Sequence, residues 1–127
     1  MPVRAKTDGS TLTLVKVGRR LRAIRELADI TQEKLCELLG VDQSTYSKWE
    51  RGKRVPDVLV LTAFAARFRT TLDFIFTGSP VGTHPQLASL LRLVHSDLVQ
   101  ESPSRTEQDT DKALASYRAA IVADPTN

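Results

Sequence analysis

The sequence predicts an all-α chain: a small helical domain followed by a further helical region. Three observations predict it. Clustered apolar residues recur at spacings of three and four, and no stretch alternates as a strand would. Polar cap residues stand before several clusters and glycines stand behind them, with Thr31, Asp42 and Asp57 ahead and Gly40 and Gly52 after. A break rich in Gly and Pro, Gly78-Ser79-Pro80 with Gly82 and Pro85, divides the chain.

Residues 1–13, with Pro2, Gly9 and Ser10 and no periodicity, are expected to be a flexible tail. From 14 to 29, Val17, Leu21, Ile24 and Ala28 share one helix face, and Arg19, Arg20, Arg22, Arg25 and Glu26 take other positions. Thr31 caps a second helix over 32–39, with Glu33 suited to its first turn, and Gly40 ends it. Asp42 caps a third, 43–51, which Gly52 ends. Pro56 and Asp57 announce a fourth over 58–68, with Leu59, Leu61, Ala63, Phe64, Ala65 and Phe68 largely buried. Thr71 caps a short fifth helix, 72–76.

The domain boundary is placed at the break, giving a domain over 14–79 and a helical region over 80–127. In that region 86–99 carries Leu87, Leu91, Val94 and Leu98 on one face, widened by Leu90, and 111–123 carries Leu114, Tyr117 and Ile121. A polar loop joins them.

Charge follows the same division. Residues 1–79 hold 14 Lys and Arg against 9 Asp and Glu, whereas residues 80–127 hold 4 against 6. A basic front and a mildly acidic back suit a polyanion-binding domain with a separate interaction region. A single cysteine, Cys36, excludes an internal disulfide. No apolar run approaches the roughly 18 residues of a membrane span, and the amino terminus lacks a signal-like apolar stretch. A cytoplasmic location is expected. His84 and His95 have no nearby carboxylate or cysteine cluster, and nucleotide-loop, metalloprotease and hydrolase motifs are absent. No enzyme activity, cofactor or metal is expected.

Three blocks carry a resemblance: LRAIRELADITQEKLCELLGV, YSKWERGKRVPD and LTAFAARFRTTLDFIF. Together, over residues 15–77, they resemble the helix-turn-helix domain of the Cro/phage-repressor (XRE) family. The resemblance implies a five-helix, lambda-repressor-like domain that binds double-stranded DNA. It places base contacts at Gln43, Ser44 and Lys48. Gln bonds adenine N6/N7 and Lys donates to guanine O6/N7 in the major groove. It places backbone contacts at Gln32, at the start of helix two, and at Thr45, Ser47, Arg51, Lys53 and Arg54. A helix start attracts phosphate, and a basic loop supplies salt-dependent affinity. It pairs Arg25 with Glu50, a bidentate match that would fix the angle of the third helix.

The sequence departs from the family at Cys36, where Ala is common, and at Tyr46, where a β-branched residue is usual. Cys36 is small enough for a tight core. The Tyr46 hydroxyl needs a partner or water.

The implied function is a sequence-specific transcription regulator, a repressor acting as a homodimer. Two half-sites sharpen discrimination. Leu87, Leu91, Val94 and Leu98 are the candidate dimer face. The competing reading is an antitoxin-like or adaptor protein whose carboxy-terminal helices bind a protein partner. A ligand sensor is a third reading, for which those helices leave little room.

Overall fold

Capping chemistry sets the helix boundaries. The computed structural model describes residues 9–100 and 107–123, with side chains for 13–100 and 111–120. Its helices are α1 (Gly9–Leu27), α2 (Gln32–Leu39), α3 (Gln43–Glu50), α4 (Val58–Phe68), α5 (Leu72–Thr77), α6 (Pro85–Val94) and α7 (Glu107–Ala123), with a 3-10 turn at Ser96–Leu98. No strand occurs among the described residues. The Thr31, Asp42, Asp57 and Thr71 side chains accept from the amides of Lys34, Thr45, Val60 and Phe74, each satisfying a donor the helix start leaves open.

The helix ends share one device. Behind α2 and α3, Gly40 and Gly52 take φ of 70° and 69°. The next amide then reaches back, Val41 to the Cys36 carbonyl and Lys53 to that of Lys48. Asp29 and Arg69 hold the same left-handed position behind α1 and α4, at φ 56° and 59°, although neither is glycine. The sequence reading carried helix one from 14 to 29; the helix instead spans Gly9–Leu27, and the turn at Asp29 leaves Ala28 exposed. Of the expected tail, residues 9–13 are helical and 1–8 lie outside the described residues.

α1 is the central element. Val17, Leu21 and Ile24 enter a core shared with Leu35 and Cys36 of α2, Tyr46 and Trp49 of α3, Leu61 and Phe64 of α4, and Phe74 and Ile75 of α5. In α4 the expected burial is only partial: Leu61, Phe64 and Ala65 are buried and Phe68 packs against the core half-buried, whereas Leu59 and Ala63 are exposed on the other side of the helix.

The segment behind the Gly-Pro break joins the same core, which includes Leu91, Leu98 and Val99. The expected helix over 86–99 is broken at His95, whose backbone sits at φ −134° and ψ 53°. The break turns Leu98 inward, and its carbonyl accepts from Arg20 Nε at 2.9 Å. The Gln100 amide then bonds the Gly78 carbonyl at 2.8 Å. Arg20, itself buried, also donates to the Ile75 carbonyl at 3.3 Å and lies 6.0 Å from the Phe74 ring centroid. Burial lowers its pKa, with Arg19 adding to the effect. A guanidinium never gives up its proton at ordinary pH, so these carbonyl acceptors are what make its burial tolerable.

The candidate dimer face is thereby dismantled. Leu91 and Leu98 are fully buried in their own chain and Leu87 packs against the core, leaving Val94 as the exposed member. Residues 111–120 of α7 are exposed throughout.

Gly18 lies where α1 crosses the end of α3. A β-carbon there would stand 2.4 Å from the carbonyl oxygens of both Trp49 and Glu50. Gly18→Ala is therefore expected to cost about 1–3 kcal/mol through overpacking. An exposed helix glycine would instead gain roughly 0.5–1 kcal/mol on the same change. Urea unfolding of the two chains decides the sign; a stabilised variant would refute the close crossing.

Candidate nucleic-acid interface

α3 is a polar helix held by one apolar edge. Tyr46 and Trp49 are buried and meet edge-to-face, with ring centroids 5.7 Å apart. Helical spacing then turns Gln43, Ser44 and Lys48 outward, all three exposed, with Ser47 half-buried beside them. Arg51, Lys53 and Arg54 continue this exposed surface past the helix end. Six of these seven sequence-chosen positions are thus exposed, and Ser47 is half-buried.

The start of α3 has its own small network. The Ser44 hydroxyl donates to Asp42 Oδ2 at 2.5 Å, and the Thr45 amide donates to the same oxygen at 3.2 Å. These bonds, the Ser44 one first, hold the Asp42 carboxyl below the usual carboxylate range. Ser44 therefore spends its proton locally and presents lone pairs outward. Arg51 Nε folds back onto the Ser47 carbonyl at 3.3 Å.

The other end of α3 is anchored by Glu50, whose side chain is only 3% exposed. Arg25 of α1 meets it with two bonds, Nε to Oε2 at 2.7 Å and Nη2 to Oε1 at 3.1 Å. The third guanidinium nitrogen, Nη1, donates to the Ile30 carbonyl at 2.9 Å. Gln32 Nε2 adds a further bond to Glu50 Oε1 at 2.8 Å. The bonds to Glu50 raise the Arg25 pKa against the opposing effect of burial.

Gln32, read from the sequence as a backbone contact, is thus turned toward the protein. The reason is that a buried carboxylate has more lone pairs than one arginine fills. Its amide nitrogen has two hydrogens, so one donor is left over.

The Tyr46 hydroxyl and Trp49 Nε1 are buried without a hydrogen-bond partner among the described residues. Burial, and next the nearby Glu50 charge, push the Tyr46 pKa far up, so the phenol stays neutral. Cys36 is buried, and its thiol is likewise pushed up, chiefly by desolvation. A thiol kept protonated is a poor nucleophile. Among the described residues no group of His, Cys, Asp and Glu could hold a metal, and no helix is long and apolar enough to cross a membrane.

Sequence reasoning missed two positioning residues, Gly18 and Arg20. Both had a signal. Gly18 is a glycine inside a helical pattern, which points to close approach. Arg20, set off the apolar face in the sequence reading, falls three residues after Val17 at the edge of that face and is buried, where a charge needs a reason.

Comparison with known proteins agrees on where this unit lies. Residues 21–75 match the model of a family described as helix-turn-helix. The chain is 32% identical over 69 residues to the HTH-type transcriptional activator BcrR of Enterococcus faecalis, a stretch covering 54% of this chain and 34% of that protein. It is 32% identical over 69 residues to the SPbeta prophage-derived uncharacterized HTH-type transcriptional regulator YonR of Bacillus subtilis (strain 168), covering 54% and 60%. It is 41% identical over 44 residues to the uncharacterized HTH-type transcriptional regulator YazB of the same organism, covering 35% and 64%. The chain spans between about a third and just under two thirds of these relatives. No solved structure matches.

Two outcomes follow from this geometry. Glu50→Ala strands the Arg25 guanidinium, itself mostly buried, and should cost about 3 kcal/mol in denaturant unfolding. Arg25→Lys keeps the charge but loses the fork, and should cost less. An unfolding midpoint unchanged by Glu50→Ala would refute the clamp. The second outcome concerns acid. The folded Asp42 pKa lies below its unfolded value of about 3.9. Its contribution is present above that value and disappears as pH falls through the lower folded pKa. Asp42→Asn keeps a cap but removes the titration. Its stability should therefore fall less than that of the parent chain on acidification below about pH 4. Parallel acid profiles would refute the assignment.

Proposed function

We propose that this chain, which carries a helix-turn-helix domain over residues 21–75, is a sequence-specific double-stranded DNA-binding transcription regulator. The relatives named as HTH-type transcriptional regulators and activator support regulation as its setting. The observation that carries the reading is the outward side of α3 with its basic extension. A polar helix surface flanked by Arg51, Lys53 and Arg54 offers base edges and phosphates what each needs.

In this reading α3 enters the major groove. Gln43 and Lys48 read bases as donors, and Ser44 offers an acceptor to a base amino group. Thr45, Ser47, Arg51, Lys53 and Arg54 hold the phosphate backbone, and Gln32 adds its remaining amide hydrogen. Arg25 and Glu50 touch no DNA; they set the angle at which α3 is offered. The protein acts as a dimeric repressor. Occlusion of a promoter asks only for tight binding, and paired half-sites supply the discrimination a single helix lacks. Catalysis plays no part.

Selection of bound sequences from random duplex DNA should enrich an inverted repeat; enrichment of nothing would overturn specific recognition. Within the selected site, Lys48→Ala should change base preference at particular positions. Lys53→Ala should weaken all sequences alike and lower the slope of log affinity against log salt by about one unit. Equal, sequence-independent losses from both substitutions would refute the division between reading and anchoring.

A further inference from the structure

α6 carries more apolar surface than its own chain covers. Ala88 and Leu91 are buried, but Leu93 is 82% exposed, Val94 57% and Leu90 44%. These three lie at helical spacing on one side, facing away from the core. Leu90 also borders an open cleft of about 420 Å³, whose apolar lining includes Leu27, Phe68 and Leu87. Two exposed cations, Arg67 and Arg69, line the same cleft and form no salt bridge with the described residues.

α7 is the complementary object. Leu114 is 42% exposed and Tyr117 64%, and every described residue along it from 111 to 120 faces solvent. Its start reads Glu-Gln-Asp-Thr-Asp, ending on the exposed Asp111. A helix of 17 residues has little stability in water unless it buries an apolar stripe. One copy of the chain therefore holds an apolar helix side beside a cationic cleft, together with a helix of apolar stripe and acidic start. Within that copy the described side chains of α7, 111–120, remain exposed.

We infer that α7 docks on the α6 face of a second copy, its Leu114–Tyr117 stripe on Leu90, Leu93 and Val94 and its acidic start toward Arg67 and Arg69. The exchange is reciprocal, so a two-fold axis closes the assembly and buries all four stripes at once. The occupant is matched by charge as well as by hydrophobicity: acidic residues lead the helix, and arginines line the cleft. The pairing rests on the dimeric reading above and replaces its interface. Leu91 and Leu98 serve the fold, and Leu90, Leu93 and Val94 serve the partner.

The test is sedimentation of the full chain over a wide concentration range, with exposed-site variants that leave the core alone. The parent chain should sediment as two copies. Leu93→Glu and Tyr117→Glu should each weaken the dimer at least about tenfold. Arg67→Glu should weaken it, and adding Asp111→Lys should restore it. A Leu93→Cys chain mixed with a tagged Tyr117→Cys chain should form disulfides between different copies. A monomeric parent chain overturns the inference, whether α7 then lies on its own α6 or on an unrelated protein. So does a dimer indifferent to both Glu substitutions, or cross-linking confined within single copies. The DNA reading is scored separately by salt-dependent duplex binding. A monomer that binds duplex sinks the pairing and the dimeric reading but leaves DNA binding standing, and a dimer that ignores duplex sinks only the DNA reading.

Discussion

The Glu50 carboxylate is the constraint on which the outward surface depends. It lies at the end of α3, out of water, and takes bonds from Arg25 of α1 and Gln32 of α2. A buried charge of this kind is weak evidence for net stability, because desolvation offsets the attraction. Its effect is geometric. Two parallel bonds to a planar guanidinium fix orientation as well as distance. The third helix is thereby tied to both others at the point where its basic extension begins.

Two further features complete the restraint on α3, and both depend on small or unusual residues. The missing side chain at Gly18 lets the backbone of α1 meet the carbonyls of Trp49 and Glu50. Gly52, in turn, lies against the backbone of Val15, where a β-carbon would stand 2.8 Å from its Cα. The helix therefore rests on α1 at its buried edge, at its carboxylate and at its terminal turn. Arg20 plays the corresponding part on the other side of α1, where it collects the carbonyls of Ile75 and Leu98. The segment behind the Gly-Pro break is fastened to the domain in part through a buried cation that meets carbonyls and, among the described residues, no carboxylate.

The sequence made the caps and the three central helices legible because their signals are local. Thr31, Asp42 and Asp57 bond amides three residues away, and Gly40 and Gly52 supply positive φ at the same turn they terminate. What could not be read locally was set by distant partners. The break at His95 follows from bonds to Arg20 and Gly78, and no residue between 86 and 99 announces it. Periodicity gave a correct list of apolar residues on α6 but divided them wrongly between core and surface. An apolar arc wider than the packed one looks the same from sequence. The inward turn of Gln32 belongs to the same class, since it depends on how many lone pairs a carboxylate 18 residues away leaves unfilled. For the outward positions of α3, periodicity gave their exposure, and their proposed roles rest on the family resemblance alone.

The outer arc of α3 takes almost no part in holding the molecule together. Gln43, Lys48, Lys53 and Arg54 are exposed, and their side chains make none of the packing or bridging contacts that fix the helix. Surface positions of this kind usually tolerate exchange within about 0.5 kcal/mol. Selection can therefore rewrite them one at a time without first finding compensating stability elsewhere. Duplicated copies of such a gene would be free to drift apart in what this arc presents while keeping one unchanged frame, and a laboratory could transplant a different arc onto this frame by the same freedom.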